Sequence, residues 1–421
     1  MSELDRDRGS KPPSLKDADW LKRPETRAVF AALSVDGAET RAVGGAVRNA
    51  LLGLPVSEID LATTAVPEKV MALAEKAGLK PVPTGIDHGT VTIIASGVPF
   101  EVTTLRCDVK TFGRRANVAF TTSWEEDARR RDFTLNALYA DRDGNVFDPL
   151  GGLADLLAGR VRFIGDAEDR IREDYLRILR FFRVHAYYGK GRMDPDGLHA
   201  AVKLRAGLDV LSPERVGAEL KRLLVAPNAA AAVEALYDYG LLTLLLGGVP
   251  LLGRFERLIA LEAALGLAPD ASLRLAALAV FVEEDAERLT HRLRLSNAEQ
   301  TVLLLAAKLR PGIHAPSDAE AKERLYRLGV EAYRAFVLLA WAASGASPDD
   351  AAWRRAFTLP SRWQAPAFPL RGADMVALGL KGPEIGETLR RLERDWIAAG
   401  FALSRDALLA KVRDRDPGRV S

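Results

Sequence analysis

At Gly151-Gly152 the chain changes character, and that change limits the fold more than any single motif. Before it, short β-like runs alternate with helical stretches. After it strand signals fade, and from about Ala167 onward nearly every segment is rich in Leu, Ala and Arg at helical spacing. No internal repeat of fixed period runs through the later part. The pattern predicts an α+β head followed by a long all-helical body, in a chain of 421 residues, enough for about two to three domains.

Within the head, Thr40–Gly44 reads as an apolar run closing on Gly44-Gly45, with the helical stretch AVRNALLG behind it. Ile59–Thr63 reads as a strand, and Val66–Gly78 as an amphipathic helix stopped by glycine. Thr90–Ala95 and Phe100–Leu105 form a hairpin across Ser96-Gly97, and Leu135–Ala140 with Val146–Phe147 another around Asp143-Gly144. Residues 1–20 read as a flexible polar tail. In the helical part, breaks are expected at Pro227-Asn228 and over Ser344–Asp350, with a distinct tail from about Leu359.

One cysteine, Cys107, excludes an intrachain disulfide and a cysteine-built zinc site. The longest charge-free apolar stretch, Leu241 to Gly253, is too short to cross a bilayer and contains Pro250. The N-terminus is charged and lacks the apolar run of a signal peptide, so a reduced, cytoplasmic protein without a membrane partner is expected. With 59 Lys+Arg against 57 Asp+Glu, the chain is not coated in positive charge, which leaves a local basic groove as the form a polyanion site would take.

Three constellations carry chemistry. Gly44-Gly45 lets backbone amides approach an anion, and Arg48, one turn into the following helix, adds a guanidinium to the same phosphate. Alone, a glycine pair is more often an ordinary strand–helix turn. Glu58 and Asp60 are two apart, so on a strand both carboxylates share a face. Like charges held together in a cleft call for a cation, and Mg²⁺, content with one or two carboxylates plus substrate phosphates, fits. Glu101 is a candidate third carboxylate or a plain solvent-facing strand residue. Further on, Arg129-Arg130-Arg131 suits a triphosphate, with Asp132 and Asn136 orienting Arg131 or meeting ribose hydroxyls.

The third constellation is EDYLRILRFFR, in which 174, 177, 180 and 183 fall at three-residue steps. A carboxylate only accepts hydrogen bonds and a guanidinium only donates. Asp174 with Arg177 therefore matches an amino group beside a bare ring nitrogen, the edge shared by cytosine and adenine and absent from uracil and guanine.

Taken together, GGAVRNALLG, EIDLATT, RRDFTLNAL, FDPLGGLADL, EDYLRILRFFR and SPERVGAELKRLL resemble the class II CCA-adding tRNA nucleotidyltransferase and bacterial poly(A) polymerase family over roughly Val43 to Leu224. The resemblance implies a polymerase-β-like nucleotidyltransferase head over 21–150, a helical neck with the base-reading helix over 151–226, a body over 227–345 and a tRNA-binding tail over 346–421. It implies that Glu58 and Asp60 are the catalytic, Mg²⁺-binding pair. Gly45 and Arg48 match phosphate contacts, Arg131 and Asp132 the motif at triphosphate and ribose, Asp174 and Arg177 the protein template for the incoming base, and Arg180 and Arg183 neighbouring nucleotide contacts. The implied partners are the tRNA 3′ end, CTP and ATP. The implied reaction is CCA addition by two-metal in-line transfer, with poly(A), CC-only or A-only addition as the rival.

Two positions depart from the family pattern, which usually has Asp where this chain has Glu58 and where it has Asn49. The extra methylene of Glu58 moves the ligating oxygens, and a catalytically degenerate tRNA- or nucleotide-binding protein is the reading from another class. Arg106–Thr122, containing Gly113-Arg114-Arg115, is the candidate flexible loop for the switch from C to A. No His is followed by Asp, so the metal-dependent phosphohydrolase module of some relatives is not expected.

Overall fold

The computed structural model describes residues 13–112 and 115–413, which form two compact units, one ending at Leu245 and one beginning at Leu246. The first unit opens with α1 (Asp19–Lys22) and α2 (Pro24–Leu33), then β1 (Thr40–Val43), α3 (Gly45–Leu51), β2 (Asp60–Thr63) and α4 (Pro67–Lys76). Strands β3 (Lys80–Gly85), β4 (Thr90–Ala95), β5 (Val98–Thr104), β6 (Arg106–Phe112) and β7 (Arg115–Phe120) follow. After α5 (Trp124–Arg129) come the two-residue strands β8 (Tyr139–Ala140) and β9 (Val146–Phe147). The rest of the unit is helical: α6 (Gly152–Ala158), α7 (Ala167–Glu173), α8 (Leu176–Tyr188), α9 (Pro195–Lys203), α10 (Pro213–Leu224) and α11 (Ala229–Asp238). The α+β expectation holds.

Seven strands form one sheet in the order β3-β4-β5-β2-β1-β8-β9, and β6 and β7 pair separately. Strand β2 runs antiparallel to β1 and parallel to β5, so the centre of the sheet brings three short segments level with one another. Helices α2 and α4 cover one face, packing on each other and on β4. The apolar alternation that predicts β4 and β5 is visible as burial: Val91, Ile93 and Ala95 point inward, as do Phe100 and Val102. The turn between them puts Ser96 and Gly97 at φ 48° and 84°, a two-residue hairpin link suited to the strand twist.

Several expectations change. Strand β2 begins at Asp60, leaving Glu58 and Ile59 in the extended segment before it. The second hairpin is only two residues deep, because Thr134–Asn136 form a 3₁₀ turn. There the Thr134 hydroxyl donates to Asp155 (2.7 Å) and the Asn136 amide to Asp132 (3.0 Å), diverting the chain from a strand path. The polar tail is tied down from Ser14 on: the Leu15 amide donates to the Gly144 carbonyl (2.8 Å), and Leu15 and Trp20 are buried. Gly144, at φ 80°, has no room for a side chain, since a Cβ there would lie 2.2 Å from the Lys16 nitrogen. The expected loop over Arg106–Thr122 is mostly the β6–β7 hairpin, with Gly113 and Arg114 outside the described residues.

Helix α8 is the axis of the helical part. Ile178, Leu179, Phe181, Phe182, Val184 and Ala186 are buried, while Arg177, Arg180 and Arg183 lie on its other side. Phe181 stacks on Phe163 (5.4 Å between centroids), which meets Phe133 (4.8 Å), so the helix is anchored on the segment that follows the arginine run.

The second unit is helical throughout its described residues. One of its cores gathers Leu370, Met375, Leu392, Trp396 and Leu408 around the last two helices, with Tyr326 and Phe401 against them. Among the described residues no helix is long and apolar enough to cross a membrane.

Candidate active site

Register places the acids. Asp60 lies opposite Val43 on β1 and opposite Glu101 on β5. Glu58 and Asp60 are exposed while Ile59 between them is buried, so the extended backbone turns both carboxylates to the open side. Partial desolvation, then the negative charges of Glu101 and Glu58, push the Asp60 pKa up to about 6, against a smaller opposing pull from Arg131. Acids placed together with so little compensating charge suit a divalent cation. Among the described residues no three His, Cys, Asp or Glu side chains close into a ready-made cage.

On the far side of β1, Gly44 (φ 66°) turns the chain into α3, and its amide donates to Leu138. Gly45 begins the helix, and Arg48 folds back over it: a Cβ on Gly45 would sit 3.7 Å from Arg48 Nη2. Arg48 Nη1 donates to Asn136 Oδ1 (2.5 Å), Nε and Nη2 to Asn49 Oδ1 (3.2 and 3.1 Å), and Nη2 to the Tyr188 hydroxyl (2.7 Å). The guanidinium stacks 3.9 Å from the Tyr188 ring. Each of these partners is neutral. Burial lowers the Arg48 pKa, against opposing pulls from Tyr188 and from the Asp132 carboxylate.

The arginine run is organised by a residue the motif reading did not single out. Asp127 is completely buried and accepts from Arg130 Nε (2.8 Å), Arg131 Nη2 (3.0 Å) and the Tyr139 hydroxyl (2.8 Å). Burial pushes its pKa up, but Arg131, Arg130 and Tyr139 outweigh this and hold it below the usual carboxylate range. Its signal in sequence is helical spacing: Asp127 precedes Arg130 and Arg131 by three and four residues. Arg131 is therefore oriented by Asp127 and Tyr139, not by Asp132 or Asn136.

Asp132 serves a different link. Its Oδ2 accepts from Arg180 Nε (2.9 Å) and Nη2 (2.5 Å), and its Oδ1 from Asn136 Nδ2 (3.0 Å). Asn136 in turn accepts from Arg48, and Arg48 reaches Tyr188 on the same helix as Arg180. Arg180, Asp132, Asn136, Arg48 and Tyr188 thus close a polar ring between α8 and α3.

The even stripe expected at 174, 177, 180 and 183 breaks at its first member. Asp174 (φ −156°, ψ 105°) is extended, between α7 and α8, where its Oδ1 accepts from the Leu176 amide (3.2 Å). Its Oδ2 accepts from Arg215 on α10 (2.6 Å), while Arg177 donates to Glu173 and to the Arg170 carbonyl (2.7 Å). The two side chains expected to read a base lie one turn apart, each held by another partner. Arg183 also turns aside, donating to buried Glu219 (2.6 Å). Tyr188, Arg215 and Glu219 are further members that the motif reading left unassigned.

Residues 40–162 match the model described as the poly A polymerase head domain, and residues 192–252 match one described as a probable RNA and SrmB-binding site of polymerase A. Fold and site together define a nucleotidyltransferase. The chain is 34% identical over 394 residues to the mitochondrial CCA tRNA nucleotidyltransferase 1 of Homo sapiens, covering 89% of this chain and 86% of that one. It therefore belongs to the CCA tRNA nucleotidyltransferase family. Against the CCA-adding enzyme of Geobacillus stearothermophilus it is 39% identical over 219 residues, 52% of this chain and 53% of that relative. The crystal structure of the Bacillus stearothermophilus CCA-adding enzyme in complex with CTP aligns with a TM-score of 0.72 at 28% identity, covering 94% of this chain and 99% of that one.

Proposed function

We propose that this chain adds CCA to the 3′ end of tRNA, using CTP and ATP. The observation that carries the reading is the juxtaposition, within a chain related along most of its length to CCA-adding enzymes, of an acid pair at the start of β2, Glu58 and Asp60, and Arg48 on α3, whose hydrogen-bond partners are all neutral. The primer 3′-oxygen attacks the α-phosphate in line, the bond to the β-phosphate breaks, and pyrophosphate leaves. Glu58 and Asp60 would hold Mg²⁺, which when bound supplies acidification of the 3′-hydroxyl and charge for the leaving group.

The protein's own groups position and compensate. Arg48, fixed by three neutral side chains, offsets phosphate charge, and Arg131, held by Asp127, does so beside Asp60. Asp174 and Arg177 read the shared amino-and-acceptor edge of C and A once they exchange Arg215 and Glu173 for the base. Gly45 allows backbone approach to the phosphates, while Arg180 and Asp132 keep α8 in register with the head. The cytoplasm is the compartment this reading assigns.

The test is a tRNA ending at position 73, offered CTP and ATP separately and together, with the products sequenced. Ordered C, C, A confirms the reading. Runs of A without CTP make the chain a poly(A) polymerase, and single additions make it a partial enzyme. Primer binding without incorporation in Mg²⁺ or Mn²⁺ leaves only a binding module.

A further inference from the structure

We propose that Tyr188 is a positioning residue that ties the phosphate-contacting Arg48 to the base-reading helix α8, so that both ends of the nucleotide are measured from one rigid element. This rests on the function proposed above. Tyr188 is the last residue of α8, and Arg177 precedes it by three helical turns, which puts the two on the same face. That separation is comparable to the length of an extended nucleoside triphosphate.

Tyrosine does here what other side chains do only in part. Its ring face lies 3.9 Å from the Arg48 guanidinium carbon, and its oxygen both accepts from Arg48 Nη2 (2.7 Å) and donates to Asn49 Oδ1 (3.2 Å). Asn49 is pinned in turn, donating to the Pro55 carbonyl (3.1 Å). Among the described residues no carboxylate hydrogen-bonds to Arg48, so its direct contacts are the stack and neutral hydrogen bonds, with Asp132 acting on it through Asn136. An ion pair would fix it too, but would spend the charge.

Base selection through hydrogen bonds depends on position. An Arg48 released from α8 lets the triphosphate slide relative to Asp174 and Arg177, and the wrong edge is then less severely mismatched. CTP and ATP should be affected alike, because they share the triphosphate.

The experiment compares the full chain with Tyr188→Phe and Tyr188→Leu, measuring CTP and ATP binding by titration calorimetry, and incorporation of CTP, ATP and UTP into a tRNA primer. The Phe variant keeps the stack and loses the hydroxyl. We expect both nucleotides to bind on the order of tenfold more weakly to Tyr188→Leu and about threefold more weakly to Tyr188→Phe. The KM for nucleotide should rise more than kcat falls, and UTP should be excluded less well. Unchanged affinities in a Tyr188→Leu protein of normal melting temperature overturn the proposal and leave the transfer reading intact. So does a rise in the KM for tRNA alone. A wild type that binds nucleotide with the expected ranking of variants but transfers nothing overturns the function and leaves the positioning role standing; one that binds neither nucleotide overturns both.

Discussion

Asp60 and Glu101 face each other directly across the parallel strands β2 and β5, and the second is a cause, after desolvation and ahead of Glu58, of the proton affinity of the first. The folded-state pKa of Asp60, about 6, lies above its ordinary 3.8. Between those values the native state binds the proton more tightly than the unfolded chain, so this group subtracts stability as pH rises through that window. In chelator, Asp60→Asn should melt higher than wild type at pH 7, with the difference vanishing near pH 4. Adding Mg²⁺ at pH 7 should raise the wild-type melting temperature and barely move the variant. A melting gap independent of pH would show that repulsion among these acids is unimportant.

Of the two departures from the family pattern, Glu58 falls at the acid pair itself, whereas Asn49 accepts from Arg48. If its carboxylate holds a cation, Glu58→Gln should lower kcat by about two orders of magnitude while leaving tRNA affinity unchanged. Glu58→Asp retains the charge and should stay within about tenfold of wild type. Single-turnover incorporation with saturating tRNA distinguishes the two. Equal activity of the Gln variant and wild type would remove Glu58 from the metal site.

Asp127 is predicted to matter for folding as well as chemistry. Asp127→Ala strands Arg131 and Arg130 beside a buried hydroxyl, and losing one partner of a buried ion pair costs about 3–5 kcal/mol. Tyr139→Phe removes one hydrogen bond to the same carboxylate and should cost about 1 kcal/mol. Urea unfolding of both variants checks the order. Because the Asp127 pKa is lowered in the native state, the stability it confers should fade as pH drops below the ordinary carboxylate value.

Arg215 occupies the carboxylate proposed to face the base. Arg215→Ala frees Asp174 of that 2.6 Å contact and should change the ratio of C to A incorporation. Because the pair is part-exposed, the melting temperature should hardly move. Arg177→Ala should instead admit UTP and GTP in competition assays. If neither substitution alters nucleotide choice, the base is read elsewhere.

Short-range pattern was enough for much of this molecule. The glycine-stopped helix Pro67–Lys76, the Ser96-Gly97 hairpin and the out-in-out placing of Glu58, Ile59 and Asp60 follow from periodicity and turn chemistry. Asp174 departs from the expected stripe because three-residue spacing implies a helix only where the backbone is helical, and its carboxylate instead accepts from the first amide of α8, that of Leu176. Thr134–Asn136 misled because side-chain bonds to Asp155 and Asp132 overrode an apolar run that reads as strand. Tyr188 and Arg215 were invisible for another reason: Tyr188 lies 140 residues from Arg48, and Arg215 lies 41 from Asp174. Only tertiary packing, such as that of α10 on α8, brings such pairs into reach.

The pairing of Leu61 with Val102, both almost wholly buried, sits one step behind Asp60 and Glu101. A slip of one position along β2 would drive an acid into the core and leave an isoleucine facing water. Hydrophobic burial therefore acts as the ruler for the chemistry, and a mutation deep under the sheet that loosens this alignment would silence the enzyme without altering any polar group.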